Sequence, residues 1–339
     1  MIQDLAHDMQ NEILALLPAR RRHAGDWTIF NAVCCEHNGE RPDTRRRGGI
    51  ICNPAGSVSY HCFNCGFKSG FYPGRPLSFK FRRLLKWMGT DDNTIQRLVM
   101  EALRVRELSP ASLLEQAATV ETEITYKRRD LPDGTQTFEQ WADAGIIYEE
   151  LGNAITYAHE RLGNAWRDYD LMWTPNTAYN LNRRVIIPLR WKGETVGYTA
   201  RAVDDTIKPK FHTSHEGHMV FNIDRQLPER KFVVVVEGMF DAMAIDAVSV
   251  MTNEISEQQA DVIESLGREV IVVPDWDQPG EKMIEAALEY GWSVSFPVWR
   301  DVHKDVSEAV SNLGRLFVMR SILAGKESNP VKIKLRQKL

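Results

Sequence analysis

The pattern of apolar and polar positions changes texture twice along the chain. Residues 3–17 place Leu5, Met9, Ile13 and Leu16 at helical spacing, and Pro18 closes the stretch. Residues 25–70 are short apolar runs broken by Gly, Asn and Pro, which predicts small hairpins. Residues 78–118 return to helical spacing, with Leu84, Leu85, Trp87, Ile95, Leu98 and Val99 supplying apolar faces. This stretch has no cluster of metal-ligand residues and no strong strand, and is expected to connect two functional units. From residue 122 the pattern is mixed. RRVIIPLRWKGETVGYTARAV predicts two strands joined by a turn at Lys192-Gly193. KFVVVVEG, REVIVVPD and WSVSFPVW read as strands, alternating with helices over MFDAMAIDAV, SEQQADVIESLG and EKMIEAALEYG. Such alternation implies right-handed crossovers and a parallel sheet covered by helices. Ligands of these sheets bind beyond the carboxyl ends of the strands, where Glu237 and Asp275 fall. No internal repeat is present.

At 339 residues there is room for two or three domains. No apolar run reaches the length of a membrane span, and MIQDLAHDMQNEILALL carries acids where a signal peptide would carry lysines, so a cytoplasmic protein is expected. The net charge of −4 argues neither for nor against nucleic acid, because distribution matters more than the sum. Basic residues gather at Arg20 to Arg22, at Arg41 with Arg45 to Arg47, in RPLSFKFRRLLKW and in VKIKLRQKL. Any one of these runs is also what a solvated face looks like.

All five cysteines, Cys34, Cys35, Cys52, Cys62 and Cys65, lie in one short window, which suits a metal-binding module better than a disulfide scaffold. Cys34 with His37, and Cys62 with Cys65, form two knuckles, C-x2-H and C-x2-C. Four such ligands suit a closed tetrahedral zinc site with a structural role. Cys35 sits too near His37 for a regular knuckle and is read as a non-ligand; Cys52 falls in a predicted strand. Tyr60, Phe63 and Phe67 are either a stacking platform for single-stranded bases or the module's own small core.

The second chemical signal is IVVPDWDQPG, residues 271–280, where a strand ends in Asp275 and Asp277. In extended chain both side chains share a face. Glu237 ends the preceding strand, with Asp241 one helical turn further on. Four carboxylates converging at strand ends repel one another unless cations intervene, and oxygen ligands suit Mg²⁺ or Mn²⁺. Phosphates completing the shell of such ions are the mark of phosphoryl-transfer chemistry. Gly238 and Gly280 mark places where backbone or ligand approaches closely. Trp276 should point away from the acids, either into the core beneath them or as a stacking surface for a base or nucleotide.

EGMFDA followed by DWDQPG resembles the TOPRIM signature of primases, topoisomerases and some nucleases. The C-x2-H and YHCFNCG blocks resemble the zinc-binding domain of bacterial and phage DNA primases. RRVIIPLRWKGETVGYTARAVDDTIKPKFHTS resembles the first half of the primase RNA-polymerase domain, and KDVSEAV its last acidic motif. Together the blocks cover about two-thirds of the chain.

The resemblance implies an α/β protein with a zinc-ribbon-like β domain (1–74), a helical connector (75–121) and an α+β subdomain (122–228). A parallel-sheet TOPRIM domain (229–312) and a carboxyl-terminal helix with a basic tail (313–339) follow. It implies that Glu237, Asp241, Asp275 and Asp277 are catalytic, with Glu237, Asp275, Asp277 and Asp305 binding Mg²⁺ or Mn²⁺. Asp241 supports the glutamate. Lys210, Arg183, Arg201 and Lys304, with Gly238 and Gly280, would face nucleotide or template.

The implied activity is synthesis of short RNA primers on single-stranded DNA from ribonucleoside triphosphates, working with a separate replicative helicase. A compact phage-encoded primase in the host bacterial cytoplasm fits best. Several features depart from that pattern. The segment between His212 and Phe221 is short, and the second basic residue has no counterpart. Ser307 stands where a second acid is usual, and Trp276 where a small residue is common. No helicase-binding domain, helicase domain or Walker A loop follows. The rivals are a TOPRIM topoisomerase or nuclease, and a primase-derived DNA-binding replication adaptor. His212, His215 and His218 have no acidic or cysteine partner beyond Glu216 and read as a nucleotide-proximal loop.

Overall fold

Helix α1 (Ile2–Ala15) realises the first apolar stripe, burying Met9 and Ile13. In this computed structural model residues 2–108, 124–146, 148–275 and 280–338 are described. Two units are distinguished: Met1–Thr122 with Glu264–Glu269, and Glu123–Ile263 with Val270–Leu339.

In the first unit, β1 (Arg22–Ala24), β2 (Trp27–Phe30), β3 (Gly48–Cys52), β4 (Val58–Cys62) and β5 (Lys68–Phe71) form an antiparallel sheet in sequential order. The hairpins expected over residues 25–70 are these. Gln10 of α1 donates its amide to the carbonyls of Asn53 and Ser57, at 3.1 and 3.0 Å, tying the helix to the β3–β4 turn. Helices α2 (Phe79–Trp87) and α3 (Asp92–Leu108) follow, α2 capped by the Ser78 hydroxyl, which accepts from the Phe81 N–H. Phe81, Leu84, Leu85, Ile95 and Leu98 are buried in the same core as Phe30, Ile50, Val58 and Tyr60. The helices expected as a connector are thus part of the module they follow. Residues 109–118 of that expected helical stretch lie outside the described residues.

The second unit contains β6 (Gln136–Thr137), α4 (Phe138–Asp143), α5 (Glu149–Leu162), β7 (Met172–Trp173), β8 (Arg184–Trp191), β9 (Glu194–Ala202) and β10 (Phe211–Ser214). Its first sheet is antiparallel, in the order β10-β9-β8-β7-β6. The predicted turn is present: Lys192 and Gly193 both take positive φ, 51° and 80°, the geometry that matches strand twist in a tight hairpin.

The strand–helix alternation then appears as β11 (Phe232–Val236), α6 (Met239–Ile245), β12 (Val248–Ser249), α7 (Glu257–Ser265), β13 (Glu269–Val272), α8 (Gly280–Tyr290) and β14 (Ser293–Ser295). The sheet order is β12-β11-β13-β14-β15, with the pairs β11–β12 and β13–β14 parallel. Val233 to Val236 are all buried, as a strand covered on both faces requires. Beyond α9 (Val306–Leu313) and α10 (Arg315–Ala324), β15 (Lys326–Glu327) pairs antiparallel with β14, and α11 (Pro330–Gln337) buries Ile333. The segment expected to be a helix and tail therefore supplies an edge strand.

Candidate functional site

After β2 the chain turns through Cys34 and Cys35 into a 3-10 turn, Glu36–Asn38. Cys62 ends β4, and Cys65 follows in the loop to β5. The sulfurs of Cys34, Cys35, Cys62 and Cys65 all lie within 4.8 Å of one another, with Cys34–Cys65 at 3.5 Å and Cys35–Cys62 at 3.6 Å. Metal–sulfur bonds of about 2.3 Å place tetrahedral ligands about 3.8 Å apart, so the cage fits zinc. Donors converge on the sulfurs. The N–H groups of Asn64 and Cys65 face Cys62 Sγ at 3.4 and 3.5 Å, the Asn64 amide faces Cys35 at 3.4 Å, and the Tyr60 hydroxyl lies 3.2 Å from Cys34. Burial pushes the Cys34 and Cys35 thiols up, a penalty that a divalent cation removes by binding thiolates.

The ligand set differs from the expected one at a single position. Cys35 stands at the head of the 3-10 turn in helical conformation (φ −61°, ψ −47°). In a helical turn neighbouring side chains diverge by only about 100°, so adjacent cysteines can reach one ion; in a strand they would point apart. His37, expected as a ligand, is exposed and stacks on Trp87 of α2, centroids 4.4 Å apart at 5°. Cys52 is outside the cage and packs against the core. Tyr60 and Phe67 belong to that core. Phe63 is 58 % exposed, beside Trp27 and His61, so only this ring of the three remains open to a ligand.

In the second unit, neighbouring strands β11 and β13 carry the acids. The Val273 N–H donates to the Val235 carbonyl at 2.9 Å, and Glu237 and Asp275 each come two residues after that bonded pair. Both are half-buried. Gly238 and Gly280 open the next helices under tight constraint. A Cβ on Gly238 would fall 2.3 Å from Asp241 Oδ2, and one on Gly280 would fall 1.9 Å from the Asp275 carbonyl oxygen. At Gly280 the obstacle is backbone, so that turn admits no side chain; at Gly238 it is the Asp241 carboxylate, which a side chain would displace.

Asp241, in α6, is 5 % exposed. Its Oδ1 accepts from the Ser307 N–H at 2.7 Å, and the Ser307 hydroxyl donates to the Arg161 carbonyl at 3.2 Å, joining α6, α9 and α5. Asp305 caps α9 by accepting from the Glu308 N–H at 2.8 Å. Burial pushes the Asp241 carboxyl up to about 7; the charge of Asp305 adds to this, while the Ser307 N–H and Arg161 oppose it. Ser307 is 2 % exposed and serves packing at the position where a second acid was expected.

Among the described residues the carboxylates form no ligand cluster as tight as the cysteine one. Asp277 and Trp276 lie outside the described residues. The donor set of Glu237, Asp275 and Asp305 is all carboxylate oxygen, which fits a hard divalent cation.

The basic candidates divide. Arg183 pairs with Asp204 at 2.7 Å, and Arg201 donates to the Tyr157 hydroxyl at 2.9 Å while lying over the Phe211 ring at 4.8 Å. Lys210 and Lys304 are exposed. Sequence reasoning passed over Arg184, which is 1 % exposed. Its guanidinium donates to the carbonyls of Tyr179, Ala200, Pro209 and Lys210, at 3.2, 3.2, 2.9 and 3.3 Å. Its place at the head of the continuous apolar run of β8, buried from Arg184 to Leu189, was the available signal. His212 stacks on Tyr179, and no cluster of His212, His215 and His218 forms among the described residues. No helix among the described residues is long and apolar enough to cross a membrane.

No protein-family model matches the chain. A DNA primase of Aquifex aeolicus is 22% identical over 164 residues, 43% of this chain and 33% of that protein. A DNA primase of Mycoplasma genitalium is 27% identical over 165 residues, 43% of this chain and 27% of that protein. The chain thus spans about a third or less of the length of these curated relatives. Among solved structures, the RNA polymerase domain of Mycobacterium tuberculosis primase DnaG matches at 19% identity, covering 57% of this chain and 80% of that one, with a TM-score of 0.47. The zinc-binding and RNA polymerase domains of Aquifex aeolicus primase match at 16% identity, covering 96% and 86%, with a TM-score of 0.46.

Proposed function

We propose that the chain is a DNA primase that joins ribonucleoside triphosphates into short RNA on a single-stranded DNA template during replication. The observation that carries this is the placement of Glu237 and Asp275 at adjoining strand ends, each followed by a helix that opens on a closely packed glycine. The sequence similarity to two DNA primases supports it. Glu237, Asp275, Asp277 and Asp305 would hold Mg²⁺ or Mn²⁺, which supplies charge neutralisation for a pyrophosphate leaving group. Glu237 is the acceptor for the proton of the attacking 3′-hydroxyl. Asp241 supports the glutamate, its Oδ2 lying against Gly238, and by accepting from the Ser307 N–H it fixes α9, and with it Asp305, against α6. Cys34, Cys35, Cys62 and Cys65 hold a structural zinc, and a replicative helicase is the expected partner.

One feature favours a second reading. The absence of an acid at Ser307 fits a DNA-binding replication adaptor with weak or no catalysis. A single assay separates the two: the purified protein, single-stranded templates of varied sequence, four labelled ribonucleotides and either Mg²⁺ or Mn²⁺. Primase activity gives short, template-dependent RNA that disappears in Glu237→Gln. DNA binding with no product under either metal assigns the adaptor role, template cleavage assigns a nuclease, and relaxation of an added supercoiled plasmid assigns a topoisomerase.

A further inference from the structure

The edge strand β10 carries an aromatic arrangement that the proposed chemistry does not use. Tyr179 is 72 % exposed, yet its ring lies on His212 with centroids 4.6 Å apart at 17°. The turn that presents it is costly. Tyr179 and Asn180 both take the left-handed conformation, φ 52° and 54°, which side-chain-bearing residues rarely adopt in succession. It is also firmly tied. Arg184 binds the Tyr179 carbonyl, the Asn180 N–H donates to Thr177, and the Asn182 N–H donates to Asn176. A large apolar ring held rigidly in water by a strained turn is a feature kept for contact rather than for packing.

The cationic part of the surface is on the same side. The Ala202 N–H donates to the Lys210 carbonyl at 3.0 Å, which carries the β9–β10 ladder one residue past Phe211. Alternation then puts exposed Lys210 on the face of His212. A flat ring with a supporting imidazole and an ammonium on the same strand face matches a base joined to a phosphate.

We propose that Tyr179, backed by His212, is a stacking site for one nucleobase whose phosphate is neutralised by Lys210. The inference rests on the primase reading for the source of that base, a template strand or a free nucleotide. It does not depend on catalysis.

The test is binding of fluorescent single-stranded oligonucleotides and of fluorescent ATP to the full chain and to Tyr179→Ala, Tyr179→Phe and His212→Ala. Tyr179→Ala keeps the carbonyl that Arg184 holds, and its fold is checked by its urea unfolding curve. Loss of one base–aromatic stack weakens binding about 5- to 140-fold. Tyr179→Phe should restore it. An oligonucleotide with one abasic position, moved along the strand, should bind wild type worse at one register and Tyr179→Ala equally at all. Loss confined to oligonucleotide assigns the template, and loss confined to ATP assigns the nucleotide. Unchanged affinity for both, or no abasic register in wild type with ATP binding also unchanged, overturns the proposal. Primer synthesis is scored separately, so a chain that binds and stacks but makes no RNA removes the primase reading alone.

Discussion

Asp241 gives the most quantitative test of the carboxylate site. Asp241→Asn keeps an acceptor for the Ser307 N–H and removes the ionisable oxygen. A carboxyl with an ordinary value of 3.8, pushed up to about 7 by burial and then by Asp305, keeps its proton in the folded chain after the unfolded chain has released it. Folding then takes up a proton, so stability falls with rising pH. This contribution is complete below the unfolded value and is lost as pH rises through the folded one. At about 1.36 kcal/mol per pH unit, a fall over roughly three units is about 4 kcal/mol. Asp241→Asn lacks this slope. Urea unfolding without added divalent cation should therefore give similar stabilities near the acid end of the window. The variant should lead by up to about 4 kcal/mol above neutrality. Parallel pH curves for the two proteins, or a variant less stable at alkaline pH, would show that the reasoning about this buried acid is wrong.

Two further outcomes are expected. Cys35→Ser should lose tightly bound zinc on dialysis while His37→Ala retains it, read by metal analysis of the purified proteins; the opposite pattern would restore the spacing-based ligand set. Arg184→Ala takes a buried donor from four carbonyls, of which that of Lys210 keeps the Ala202 N–H, and should cost about 3 kcal/mol in urea unfolding, with Arg184→Lys recovering only part, since one ammonium cannot serve a planar fork of acceptors.

What the sequence disclosed and what it withheld follow from the range of the interactions. Val233–Val236 and the strand–helix alternation after it were legible because burial on both faces writes a continuous apolar run. The Lys192-Gly193 turn was legible because positive φ demands particular residues. His37 was misplaced because spacing says which residues can meet, while the turn conformation at Cys35 decides which do. Trp87, which takes up the His37 ring, comes from a helix fifty residues on. The helices after residue 78 were read as a connector because amphipathic spacing shows that a face is buried without showing against what. The link from Asp241 to Ser307 joins positions 66 apart and involves a backbone N–H, which leaves no compositional trace. Arg184 was overlooked because arginine is ordinarily a surface residue, and only the carbonyls around it make burial tolerable.

Arg184 has a mechanical consequence. Its guanidinium collects carbonyls from the Tyr179 turn, from β9 and from the segment ending at Lys210. A planar fork cannot follow one acceptor without misaligning its bonds to the others. The turn and the lysine segment are therefore fastened to one another through a single buried side chain, with no helix between them.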